Sequence, residues 1–148
     1  MIIVLDTGII GIVTNPNSTP ENLKCTNWLK TKLANNDVIF IPEICDYEIR
    51  RELLRANKTF GLERLNALKA SLNYLPISTN EMLKAAEFWA SSRKQGKQTA
   101  SDLSLDADVI LAAQTFILEQ KLNEPTVIAT TNVKHLSLFV DAKEWKTI

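Results

Sequence analysis

Three short apolar runs constrain the fold of this 148-residue chain most tightly: Ile2-Ile3-Val4-Leu5, Val38-Ile39-Phe40-Ile41 and Thr126-Val127-Ile128-Ala129. Each is too short for a stable helix and lacks the polar alternation of a half-exposed strand. Such runs are strands buried on both faces. Segments with helical spacing separate them, and strands that alternate with helices form a parallel sheet covered by helices. The first run closes on Asp6. In an open α/β sheet, ligands bind beyond the carboxyl ends of the strands, so Asp6 falls where such folds do chemistry.

The local signals place the other elements. Gly8 to Val13 is an apolar turn or short helix, and 15–20 is a loop. Thr19 caps a helix that starts at Pro20 and ends near Asn35-Asn36, with Leu23, Trp28, Leu29 and Leu33 on its buried face. Pro42 closes the second strand. Helices are expected over 43–57 and 62–72, then a short strand over 73–77. Ser78, Thr79 and Asn80 precede a helix over 81–93. A polar loop covers 96–101, Asp106 caps a helix that runs to about Leu122, and a last short strand lies near Trp145. No repeat interrupts the pattern, and residues 1–148 form one domain.

Bulk properties narrow the class. Seventeen basic and seventeen acidic residues cancel, so any attraction to nucleic acid must come from a local patch. One histidine and two distant cysteines, Cys25 and Cys45, do not make a structural zinc site, and two buried thiols are the simpler expectation. The first apolar run is far shorter than a bilayer span and has no basic leader, so a soluble, cytoplasmic protein is expected.

Three acids stand where this topology gathers side chains. Asp6 ends the first strand, Glu48 lies in the helix after the second, and Asp108 opens the helix after the polar loop, with Asp106 two residues earlier. Clustered carboxylates repel one another, and a hard divalent cation relieves the repulsion. The chemistry such a set supports is two-metal phosphodiester hydrolysis.

The runs Ile3-Val4-Leu5-Asp6-Thr7, Asp108-Val109-Ile110-Leu111-Ala112-Ala113 and Thr130-Thr131-Asn132-Val133-Lys134-His135-Leu136, with Glu48 between the first two, resemble the PIN-domain family. The likeness is strongest to the VapC-like ribonuclease toxins of toxin–antitoxin systems. It covers nearly the whole chain in order. It implies a three-layer α/β/α sandwich with a central parallel sheet, Mg²⁺- or Mn²⁺-dependent cleavage of RNA, a homodimer and, in many relatives, a small antitoxin that blocks the active site. Carried onto this chain, the metal ligands are Asp6, Glu48 and Asp108. Asp106 either joins them or caps its helix. The fourth family position, commonly an aspartate, is Asn132, whose carbonyl oxygen can coordinate but brings no charge. Its expected role is to orient a water at the metal.

The neighbours of these residues are ambiguous on sequence grounds. Thr7 and Thr130 either bind substrate and orient the carboxylates, or make local turn bonds. Arg51 and Arg55 share a helix side with Glu48 and Glu52, either as phosphate ligands or in intrahelical ion pairs. Arg93, Lys94 and Lys97 form a second basic cluster. His135 fits a helix-start or packing role better than that of a general base. Leu53, Leu54, Phe60 and Leu62 are candidates for a dimer or antitoxin surface, although core burial accounts for each of them singly. Two other classes compete. One is an aspartyl phosphotransferase, against which Gly8 stands where such enzymes place a second acid. The other is a non-catalytic RNA-binding or interaction module, which the neutral Asn132 favours.

Overall fold

The computed structural model describes residues 1–96 and 102–148, with side chains at all of these except 102–104. In chain order the elements are β1 (Ile2–Leu5), α1 (Thr7–Thr14), α2 (Pro20–Ala34), β2 (Val38–Pro42), α3 (Glu43–Arg55), α4 (Thr59–Ser71), β3 (Asn73–Leu75), α5 (Thr79–Lys94), α6 (Asp102–Leu122), β4 (Thr126–Thr130), α7 (Val133–Leu136) and β5 (Ala142–Glu144). The five strands form one parallel sheet in the order β3-β2-β1-β4-β5. Helices flank it in a three-layer α/β/α arrangement.

The central strands are β1 and β4. Every residue of Ile2–Leu5 and Thr126–Thr130 is buried, as their unbroken apolar character requires. In register, Ile3 lies between Ile39 and Val127, and Leu5 is level with Ala129. The chain builds outward to β2 and β3 on one side of β1, then crosses back to β4 and β5 on the other. The reversal falls between β1 and β4, the crevice where a parallel sheet accepts ligands. Asp6 and Thr130 emerge on its two sides.

Local chemistry sets the helix ends. Thr19 Oγ1 accepts from the Asn22 amide at 3.2 Å, with Pro20 in the first turn. Ser78 and Glu81 form a reciprocal capping box. Asn36, Asn57 and Asn123 follow α2, α3 and α6 in the left-handed conformation that asparagine tolerates.

Four expectations are corrected. The buried residues of α2 are Cys25 and Leu29, one turn apart, whereas Leu23 and Leu33 are exposed. Only a narrow stripe of that helix meets the core. Helix α4 begins at Thr59 rather than 62, because the chain turns straight from α3 through Asn57. Helix α6 begins at Asp102, so Asp106 is an interior helical residue and not its cap. Leu54 and Phe60 are exposed, while Leu53 and Leu62 are partly buried. Both cysteines are buried and free. A smaller core of Ala85, Leu105, Val109 and Ala113 joins α5 to α6.

Candidate active site

Asp6 is fixed by the turn from β1 into α1. Its backbone amide donates to the Ala129 carbonyl at 3.0 Å, which ties the end of β1 to β4. Its Oδ1 accepts from the Thr7 amide at 2.7 Å and caps α1. Its Oδ2 accepts from Thr130 Oγ1 at 2.5 Å. The helix-cap role and a place at the crevice thus belong to the same carboxylate. Burial pushes its pKa up, against the lowering effect of the Thr130 and Thr7 bonds.

The two threonines orient carboxylates. Thr7 Oγ1 donates to Glu48 Oε1 at 2.8 Å, which links the first turn of α1 to the second turn of α3. Thr130 Oγ1, besides donating to Asp6, accepts from the Asn132 amide at 2.9 Å. One hydroxyl therefore couples Asp6 to the backbone of the residue in the fourth family position. Removing the Thr7 donor isosterically, in Thr7→Val, is expected to cost about tenfold in metal affinity or turnover. The expected stability loss is only about 1 kcal/mol, measured by denaturant melts alongside a metal titration.

Asp108 lies two turns into α6 and is half-buried. Burial, then the charges of Asp6 and Glu48, push its pKa up to about 6. Buried Cys45 shows the same electrostatics from below. Its thiol is pushed up by burial and by the charges of Asp6 and Glu48. Asp6, Glu48 and Asp108 thus share one electrostatic site, built from β1, α3 and α6. Asp106 does not face it with Asp108. Two residues along a helix are about 200° apart around its axis, and Asp106 is exposed.

These oxygens are the hard donors that Mg²⁺ or Mn²⁺ takes, and the raised Asp108 pKa reflects burial first and then the repulsion of Asp6 and Glu48, which a cation would offset. Among the described residues, no three His, Cys, Asp or Glu side chains stand close enough together to hold one ion unaided. Mg²⁺ usually keeps several waters and binds through one or two carboxylates, so the donor set fits an ion held partly through water.

Gly8 lies close against the Thr131 side chain, whose hydroxyl would have to turn away from any larger residue. A Cβ there would lie 2.9 Å from Thr131 Oγ1, so the first turn of α1 runs against the loop after β4. Asn132 is exposed and precedes α7, and its side chain makes no cap bond. His135 lies within α7, with a buried Nδ1 that has no hydrogen-bond partner among the described residues. Arg55 pairs with Glu52 at 2.9 Å, as the ion-pair alternative expects. Arg51 instead lies over the Tyr47 ring, 5.1 Å from its centroid. Arg93 packs over Trp89, and Lys97 falls outside the described residues. The exposed ring of Tyr47, next to Glu48 in sequence, is the feature that the sequence reading missed. The one available signal was an aromatic beside the helix acid.

Comparison with solved structures gives the fold a counterpart. A chain of VapBC2 from Rickettsia felis, solved bound to a DNA fragment from its promoter, superposes with a TM-score of 0.73 at 18% identity, over 98% of this chain and 99% of that one. A chain of VapBC-1 from nontypeable Haemophilus influenzae gives 0.68 at 19% identity, over 99% of both chains. The fold is that of a PIN domain. Sequence comparison finds no matching family model and no matching curated protein. At such low identity the likeness rests on shared topology, in which β1 and β4 carry Asp6 and Thr130 into the crevice.

Proposed function

We propose that this protein is a divalent-metal-dependent endoribonuclease of the VapC kind. The supporting observation is the convergence of Asp6, Glu48 and Asp108 on one electrostatic site at the β1/β4 crevice, with Thr130 and Thr7 holding two of them. Mg²⁺ or Mn²⁺ would be held by one or two of the carboxylates of Asp6, Glu48 and Asp108 and otherwise through water, and when bound it would supply charge to stabilise the phosphorane-like transition state and to acidify the attacking water. Asp6, locked by two hydrogen bonds, keeps a fixed orientation throughout. Thr7 holds Glu48 through Oε1 and leaves its second oxygen for a ligand. Asp108 gives up its proton most readily once a cation offsets the charges of Asp6 and Glu48. Asn132 is placed by Thr130 to orient a water or a phosphate oxygen through its amide.

The partner reading is a small antitoxin, in keeping with both structural neighbours being VapBC. A groove of about 710 Å³ between α1, α3 and α4 suits a peptide segment, with Gly11, Ile49, Leu53 and Phe60 among its walls. Phe60, 73% exposed, adds a large apolar face to the rim of this groove. A homodimer is the expected assembly. Among the described residues no helix is long and apolar enough to cross a membrane.

The test is cleavage of single-stranded RNA by the purified chain. Cleavage is expected with Mn²⁺ and absent in EDTA. Asn132→Asp, which restores the missing charge, is expected to tighten Mn²⁺ binding about tenfold by calorimetry. A non-catalytic module would instead bind RNA with no cleavage under either condition.

A further inference from the structure

We infer that Tyr47 and Arg51 form a shelf on which one nucleobase of the RNA stacks beside the acidic site. This inference rests on the ribonuclease reading and adds to it a contact that grips the substrate through a base rather than a phosphate.

Tyr47 is 57% exposed, on the second turn of α3 immediately before Glu48. The Arg51 guanidinium lies 5.1 Å from its ring centroid and covers one face of the ring. Arg51 is also three residues beyond Glu48, so the two side chains lie on adjacent rows of the helix. The other arginines of α3 are occupied by acceptors. Arg50 is bound by Asp46 at 2.9 Å and by Asn66, and Arg55 by Glu52. Among the described residues Arg51 has no acid partner, and its guanidinium lies against the ring. The helix thus presents an unneutralised cation and a large open π-face next to the acid that Thr7 anchors to the site.

Single-stranded RNA is held by this combination. Bases stack on aromatic rings and on guanidinium planes, while the positive charge attracts the backbone. The chain is neutral overall, so such a contact supplies affinity that bulk charge does not. Every base has a π-face, so the shelf favours an unpaired nucleotide over a paired one without selecting its identity.

The experiment measures binding in EDTA, where no cleavage is expected, using a short single-stranded RNA and a set of otherwise identical oligonucleotides that each lack one base. Tyr47→Ala is expected to weaken binding of the intact RNA about tenfold, and Tyr47→Phe less than twofold. Removing one particular base should cost wild type the same tenfold and should cost Tyr47→Ala almost nothing, because the two changes delete the same contact. Tyr47 is exposed, so these variants fold. Equal losses for wild type and Tyr47→Ala at every position, or no loss in Tyr47→Ala, would overturn the shelf and leave the ring as a contact for a protein partner. The two readings fail separately. Coupling without Mn²⁺-dependent cleavage would sink the nuclease, and cleavage without coupling would sink the shelf.

Discussion

Asp6→Asn is expected to lower Mn²⁺-dependent RNA cleavage by more than about 100-fold while the melting temperature stays within about 5 °C of wild type. Both halves follow from the same carboxylate. Asp6 sits at the turn from the central strand into α1, and its charge is held in a buried place that raises its pKa. The fold therefore gains little from that charge, and an asparagine of the same shape keeps the Thr7 cap bond through its carbonyl oxygen. Thr130 then turns its hydroxyl to accept from the new amide. On the proposed mechanism a bound cation would lose its most firmly oriented anionic ligand. Residual cleavage within about threefold of wild type, in a protein shown to be free of other nucleases, would remove Asp6 from the mechanism.

Asp108→Asn is expected to make the metal-free protein more stable and inactive at once. The wild-type carboxyl titrates at about 6 in the fold, against an ordinary value of 3.8. The unfolded chain therefore loses this proton at a lower pH than the native state does. Native stability falls as pH rises from 3.8 to about 6, and this group takes no more away above that. The variant carries no such charge, so its advantage is near zero at the acid end of that window, grows across it and levels off above pH 6. In thermal melts with EDTA the variant melts a few degrees above wild type at pH 7.5 and level with it near pH 4. Added Mn²⁺ reverses the order, because a cation that binds only the native wild-type site stabilises it by mass action. A variant less stable than wild type at pH 7.5 in EDTA would show that Asp108 is not held against the charges of Asp6 and Glu48.

A stability gain bought by losing function is what a strained binding site produces. The arrangement in this chain makes the source of the strain explicit. Asp6 and Asp108 are each raised first by burial, and Asp108 also by its acidic neighbours. Arg50, two residues beyond Glu48 on α3, is bound to Asp46 instead. The charge left over is an invitation to a cation and to the phosphates that come with one.

Much of this was legible in the order of residues, for identifiable reasons. The unbroken runs at 2–5, 38–41 and 126–129 are hydrophobic enough to be strands in any register, and β1 and β4 are the most buried strands. Thr19-Pro20 is a cap signal strong enough to place the start of α2 to the residue. Amphipathic edges were less legible. The α2 sequence offers Leu23 and Leu33 to the core, but the packing takes Cys25 and Leu29, with Trp28 partly buried against them, because burial depends on which stripe meets the core. Asp106 has the composition of a cap, yet α6 starts at Asp102, and a favourable residue type does not fix a boundary that tertiary contacts extend. The acids were found through their order along the chain. Their orientation was not, since the Thr7–Glu48 and Thr130–Asp6 bonds span 41 and 124 residues and have no local signal. The Tyr47–Arg51 pair has helical spacing, but only the structure shows that Arg50 and Arg55 are neutralised and Arg51 is not.

Anomalous diffraction from a crystal soaked in Mn²⁺ at pH 7.5 tests the central claim most directly. The account predicts a peak in the crevice between β1 and β4, with carboxylate oxygens of Asp6 and at least one of Glu48 and Asp108 about 2–2.5 Å from the ion and water filling the remaining positions. A fully occupied Mn²⁺ elsewhere on the chain, with the three carboxylates unliganded, would contradict it.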